Sequence, residues 1–400
     1  MKKVITGIEA LKRSGFAAVK NKRLGLLANS ASVDSSFNHL ASLLEEHCQF
    51  KVIFAPEHGF RAARQDMADV KDQNDQLSGR QVISLYGSSV EDLHPKIESM
   101  EDLDVVLVDL PDIGSRYYTF SQTMYYLMQT AAKCGVKVIV LDRPNPISGN
   151  RIEGSPILSS CRSFCGVGPV ANRHGLTLGE LALMFKAGID IDGETLPPCP
   201  VELQIIPVEG WSRAQYHDET AIPWVLPSPN MPCLDAAITY PGTCLFEATN
   251  ISEGRGTTKP FELLGAPFIN GSDWIAATRE EGIPLDGVAF RPTEFEPQFH
   301  KWQKQTCGGI QMHITDRNAF SPYAVSLALI SALYRLYPNQ FAWRTERYEF
   351  IDNPIAIDLL YGSDNFRKNA EAGNPASHLL PEIASFSEKY SAAIVPFMIY

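Results

Sequence analysis

The feature that most restricts the fold is an alternation in the first half of the chain, where short apolar runs rich in β-formers are separated by helix-like segments. That is the pattern of a parallel sheet wrapped by helices, an α/β fold. Strands are predicted at 23–28 (RLGLLA), 50–55, 81–86, 104–110 and 136–141, with an amphipathic helix over 36–48 and another helix over 119–133. In GLTLGELALMF, Thr177 and Glu180 have the spacing of a capping box for a helix that starts near Leu178. The proline-rich stretch PWVLPSPNMP, 223–232, continues neither a helix nor a central strand, so a domain boundary is placed there, dividing the chain into 1–228 and 229–400. Beyond it, CGGIQMHITDR reads as a strand and 321–337 as an apolar helix, in no clear βαβ order.

A chain of 400 residues with 44% hydrophobic content can bury a large core, and the length suits two domains. A formal net charge of -11 argues against nucleic acid as a partner, because phosphate backbones are held by excess Lys and Arg. MKKVITGIEALKRSGF lacks the apolar centre of a secretory signal and no later stretch has the length of a membrane span, so a cytoplasmic protein without a membrane partner is expected. The 8 cysteines form no CxxC pair, which predicts free and mostly buried thiols. Cys161 and Cys165 lie close together, but zinc would need further ligands, and neither a metal nor an organic cofactor is expected.

In open parallel sheets the loops at the carboxyl ends of the strands form the binding crevice. Glu57 and His58 follow the second predicted strand, Asp109, Asp112 and Arg116 the fourth, and Asp142, Arg143 and Asn145 the fifth, so all of them should meet on one rim. Arg173 and His174 stand just ahead of the capped helix, and Glu153 in GNRIEG could swing over the same crevice. A second cluster, EATNISEGRGTTKPFE, presents Asn250, Glu253 and Arg255 among glycines that let backbone amides approach a polar ligand, although it lacks the order of a nucleotide loop. The plain alternatives are a solvated turn at Glu57 and His58, a surface glutamate at Glu153, and a solvated loop face for Asp66, Asp69, Asp72 and Asp75. No GxSxG occurs, which argues against a common α/β serine hydrolase.

The motifs PEHGFR, VDLPDIGSRYYTF, LDRPNPI, IEG, RHGLTLGELA, PSPNMP, YPGTCLFEATNISEGRGTTKPFELLGAP and CGGIQMHITDR make the chain resemble the DUF1343 family of NamZ-type exo-β-N-acetylmuramidases, from about residue 5 almost to the end. The resemblance implies a Rossmann-like N-terminal domain, a smaller α/β C-terminal domain and a cleft at the sheet's rim. It also implies removal of terminal N-acetylmuramic acid (MurNAc) from non-reducing ends of peptidoglycan fragments such as MurNAc-GlcNAc. The glutamate of the family's PEHG motif falls on Glu57 and that of its V/I-E-G motif on Glu153. Ala62, Pro111 and Ala248 stand where relatives commonly have Gly, Gln and Gly.

Glycoside cleavage normally uses two carboxyl groups, and the expected catalytic pair is Glu57, as acid, with Glu153. Substrate assistance by the 2-acetamido group, with Asp112 or Asp142 as orienting carboxylate, is an alternative route. The lactyl carboxylate of MurNAc calls for a cation, for which Arg61, Arg116 and Arg255 qualify, while His58 and His174 could hold sugar hydroxyls. Two rival readings use the same residues: a non-catalytic binding protein for muropeptides or another acidic sugar, and a metal-dependent hydrolase or esterase built on Glu57, His58 and the Asp-rich loop.

Overall fold

The computed structural model describes residues 3–62, 73–74 and 79–400. The first half runs α1 (Gly7–Arg13), β1 (Arg23–Ala28), α2 (Leu40–Leu44), β2 (Gln49–Ala55), β3 (Gln73–Asn74), β4 (Gln81–Ser84), β5 (Val105–Asp109), α3 (Phe120–Cys134), β6 (Lys137–Leu141) and α4 (Leu178–Ala187). A small hairpin, β7 (Ile189–Ile191) and β8 (Glu194–Leu196), leads to β9 (Leu203–Ile206). The main sheet has the order β3-β4-β2-β1-β5-β6-β9. All its pairings are parallel except that of β3 at the edge.

The central strands are apolar along their whole length because both faces are covered. In β5, Val106 and Val108 pack on one face with Met124 and Met128 of α3, while Val105 and Leu107 pack on the other with Ile8 and Leu11 of α1. Successive side chains alternate across the sheet, so one uninterrupted run fills two cores. α3 stops at Gly135, whose φ of 66° lets its N–H turn back to the carbonyls of Ala131 and Ala132.

The smaller C-terminal part contains α5 (Leu234–Thr243), β10 (Leu263–Ala266), α6 (Gly271–Arg279), β11 (Val288–Phe295), β12 (Cys307–Ile314), α7 (Pro322–Leu336), α8 (Ala356–Tyr361), α9 (Asn365–Glu371) and α10 (Leu380–Ile394). Its antiparallel sheet has the order β10-β12-β11. α7 is buried from Pro322 to Leu333 and lies between α5 and α6. The core is continuous between the two parts, with Tyr117 of the first half and Tyr240, Phe261 and Tyr323 of the second in one cluster.

Two expectations change. The helix over 36–48 shrinks to Leu40–Leu44, because the Asp34 carboxylate accepts the Ser36 and Asn38 N–H groups and Phe37 takes a φ of 63°, which holds the preceding segment as a turn. β9, a sixth strand parallel to its neighbour, was not expected, being only four residues of LQII between proline-rich segments. The capped helix does begin at Leu178, with Thr177 Oγ1 accepting from Glu180 N at 3.2 Å and Glu180 Oε2 accepting from Thr177 N at 2.9 Å. All eight cysteines are free thiols, five of them buried. Among the described residues no helix is long and apolar enough to cross a membrane.

Candidate active site

β2 ends at Ala55, and the chain turns at once through Glu57, His58 and Gly59. His58 and Gly59 have φ of 69° and 78°, with Gly59 N donating to Pro56 O at 3.0 Å. A non-glycine residue in the left-handed region is strained, and such strain gathers where a side chain must be aimed. Ala62 also takes a left-handed φ, of 49°. Phe60 anchors the turn by packing edge-on against His39 at 5.0 Å. Glu57 is only 5% exposed, and Thr119, the residue before α3, donates its hydroxyl to Glu57 Oε2 at 2.7 Å.

Glu57 and His58 line a cleft of about 520 Å³ that the C-terminal part closes with Glu247, Arg255, Tyr348 and Glu349. Glu247 Oε1 accepts from Arg255 Nη1 at 2.8 Å and its Oε2 from the Tyr348 hydroxyl at 2.7 Å. Glu349 Oε2 accepts from the Tyr86 hydroxyl at 3.2 Å. Burial pushes the Cys165 thiol well up, and the charges of Glu349, Glu247 and Glu57 push it further. This cysteine therefore sits among three carboxylates and is no nucleophile.

The expected rim divides in two. A larger cleft of about 870 Å³ lies over the ends of β1, β5 and β6 and is lined by Pro111, Asp112, Arg143 and Trp224 among others. Asp112 Oδ2 accepts from Gly114 N at 2.7 Å and lies 3.2 Å from His174 Nε2, while its Oδ1 has no hydrogen-bond partner. Tyr118 lines the smaller cleft. Burial raises its phenol, and the charges of both Asp112 and Glu57 act on it.

Several expected ligand residues instead hold the fold. Asp109 is fully buried and takes both Nε (2.6 Å) and Nη2 (2.9 Å) of Arg143, a bidentate pair that leaves neither charge for a ligand. Asn145 makes a turn, accepting from Ile147 N and donating to Leu176 O. Arg116 is fully buried and donates to the carbonyls of Val170 and Leu360, so it pins α8. Asn250 bonds the backbone of Gln340 and Ala342. Burial alone would raise Glu253, but Lys301, His300 and Arg255 override it and hold the carboxyl well below its ordinary range. Arg61 is exposed and lies over the Phe60 ring at 5.1 Å.

Glu153 is not brought to the cleft that Glu57 lines. Its Oε1 accepts from Arg173 Nη1 at 3.0 Å, and its Oε2 accepts from Ser321 Oγ at 2.7 Å and Tyr323 N at 3.3 Å. It thus ties a buried guanidinium to the start of α7. The residues that sequence reasoning missed are Thr119, Glu247, Tyr348 and Glu349. Glu247 stood inside the quoted EATNISEGRG motif, while Tyr348 and Glu349 lie in a YEFI stretch with no motif at all.

Asp142 is a structural carboxylate with a consequence for pH. It accepts from Gly179 N (2.8 Å), Thr177 Oγ1 (2.7 Å) and the Tyr400 hydroxyl (2.7 Å), but complete burial outweighs these donors and raises its carboxyl from 3.8 to about 6. The folded state then binds this proton more tightly than the unfolded chain. Its contribution to stability is fully present below about pH 4 and is lost as pH rises through about 6. Asp142→Asn should flatten that segment of a stability profile measured by urea unfolding; an unchanged profile would place the proton elsewhere.

Among the described residues no group of three or more His, Cys, Asp or Glu is arranged to hold a metal ion. Asp66, Asp69, Asp72 and Asp75 lie outside the described residues.

Comparison with known proteins agrees with this architecture. The family models described as the N-terminal and C-terminal domains of exo-beta-N-acetylmuramidase NamZ match residues 24–235 and 238–400. The peptidoglycan beta-N-acetylmuramidase NamZ of Bacillus subtilis (strain 168) is 37% identical over 400 residues, covering 100% of this chain and 92% of the relative. A crystal structure of a DUF1343 family protein from Bacteroides fragilis NCTC 9343 superposes with a TM-score of 0.87 at 29% identity, with both chains covered to 100%. Another from the same organism gives 0.72 at 27% identity, over 100% of this chain and 99% of the other. With both domain models matched in order and a relative aligned along its whole length, the chain belongs to the NamZ exo-β-N-acetylmuramidase family.

Proposed function

We propose that this protein is a glycosidase acting on peptidoglycan, an exo-β-N-acetylmuramidase that releases terminal MurNAc from the non-reducing ends of fragments such as MurNAc-GlcNAc. The observation that carries the reading is Glu57: a buried carboxyl on a strained turn at the sheet's rim, opening into a small cleft with further carboxylates. The full-length similarity to a peptidoglycan β-N-acetylmuramidase supplies the sugar.

Glu57 is the general acid. Thr119 fixes the carboxyl through Oε2, which orients the group toward a glycosidic oxygen in the cleft. Arg255 lines the cleft and is engaged by both Glu247 and Glu253. Glu153 is a positioning residue that works through Arg173 and α7. Soluble glycan oligomers with MurNAc at the non-reducing end, incubated with the protein and followed by mass spectrometry, should lose one MurNAc first and then stop at the GlcNAc-ended product. Internal cleavage to mixed lengths would refute exo action.

A further inference from the structure

The proline-rich stretch 223–232 lines both clefts. Pro223, Trp224 and Pro227 belong to the larger one, and Ser228, Asn230 and Met231 to the smaller one that Glu57 lines. Pro227 and Ser228 are consecutive, so a single peptide link, about 3.8 Å from Cα to Cα, joins the two linings. A hydrogen bond makes a second tie, with Trp224 Nε1 donating to Met231 O at 3.1 Å. Asn29, just beyond β1, donates its side-chain amide to Pro227 O at 2.8 Å and holds the stretch to the sheet's rim. The Tyr118 phenol, raised first by burial, also feels the charges of Asp112 from the larger cleft and Glu57 from the smaller.

The larger cleft has the position of a ligand site. The strand order reverses between β1 and β5, and open parallel sheets bind ligands in the crevice at that point. Ala31 and Val33 follow β1, Pro111 and Asp112 follow β5, and all four line the cleft.

Its chemistry narrows the ligand. Most of the lining is apolar, and its ions are largely matched within the protein: Arg143 by Asp109, Asp34 by Lys12, with Glu9 3.8 Å from Lys12 and Lys3 exposed at the rim. Burial lowers the His217 imidazole, which keeps it neutral near neutral pH. Trp224 is half-buried, fixed by Met231 and by the edge-on His217 ring at 5.0 Å, and an aromatic face suits the C–H bonds of a pyranose. Asp112 is 9% exposed, and its Oδ1 has no hydrogen-bond partner among the described residues. A buried acceptor without a donor is costly, so a ligand's hydroxyl or amide N–H is favoured there. These walls fit a neutral sugar that carries donors. GlcNAc is such a sugar, whereas MurNAc bears a lactyl carboxylate and stem peptides bear carboxylates of their own.

Resting on the glycosidase reading, we propose that the larger cleft is the leaving-group subsite, which seats the GlcNAc next to the scissile bond on Trp224 and Asp112 while the terminal MurNAc occupies the smaller cleft. The stretch 223–232 is then the strap that aligns the two sugars across the bond to be cut, and its prolines keep it rigid before the substrate arrives.

The test compares wild type, Trp224→Ala and Trp224→Phe with MurNAc-GlcNAc as substrate and the two product sugars as separate inhibitors, so that each cleft is read by its own ligand. Trp224→Ala should raise KM for MurNAc-GlcNAc about 10-fold and weaken inhibition by GlcNAc about as much, while inhibition by MurNAc keeps its wild-type value. Trp224→Phe, which retains an aromatic face, should keep most of the GlcNAc inhibition. A wild type that GlcNAc does not inhibit, GlcNAc inhibition unchanged in Trp224→Ala, or equal weakening by both sugars would overturn the subsite. Wild type that leaves MurNAc-GlcNAc uncut would instead refute the glycosidase reading itself.

Discussion

Glu57→Gln should lower kcat on MurNAc-GlcNAc by about 10²–10⁴-fold while leaving the folded state nearly as stable as before. The amide keeps the volume of the carboxyl and can still accept the Thr119 hydroxyl, so packing and the hydrogen bond at 2.7 Å survive. What disappears is the transferable proton. The loss should be smaller on 4-nitrophenyl β-MurNAc, because a nitrophenolate departs without help, and this difference separates an acid from a residue that merely binds. Steady-state kinetics on the two substrates, with urea unfolding as control, checks the point. Equal losses on both would show that Glu57 serves some other part of the reaction.

Glu153→Gln should act through a different channel and weaken the fold by about 3–5 kcal/mol. Arg173 has 0% side-chain exposure and Glu153 7%, so removing the negative charge leaves a buried guanidinium whose other bonds go to Ile147 O and, at 3.4 Å, to the Tyr216 hydroxyl. The same carboxylate meets Ser321 and the Tyr323 N–H at the first turn of α7, where a negative charge complements the helix dipole. Activity should therefore fall together with stability. Replacing both partners with apolar residues, Glu153→Leu with Arg173→Met, should recover much of the loss, because neither charge is then stranded. An unchanged unfolding midpoint with abolished turnover would return Glu153 to the chemistry that the family motif implies.

The parallel sheet and the Glu57 turn were legible because both depend on local pattern. A run buried on both faces is apolar throughout, and a charged Glu-His-Gly directly after it has few structural uses. Arg116 and Asp109 carry the same sequence signature but are fully buried, and only tertiary packing distinguishes a guanidinium that pins α8 from one that meets a ligand. Glu349 lies 292 positions beyond Glu57 and sits on a turn whose residues contradict the usual turn chemistry, so periodicity and motif spacing pass it by. The helix expected over 36–48 failed for a related reason: the Asp34 carboxylate satisfies local N–H groups in a turn before a helix can form.

The most direct measurement is 4-nitrophenol release by the wild-type protein from 4-nitrophenyl β-MurNAc beside the β-GlcNAc analogue, which differs only in lacking the lactyl ether. Release from the MurNAc glycoside with little or none from the GlcNAc glycoside is the predicted result. Release from neither, with MurNAc-GlcNAc still bound in a calorimeter, would contradict it and leave a binding protein in place of an enzyme.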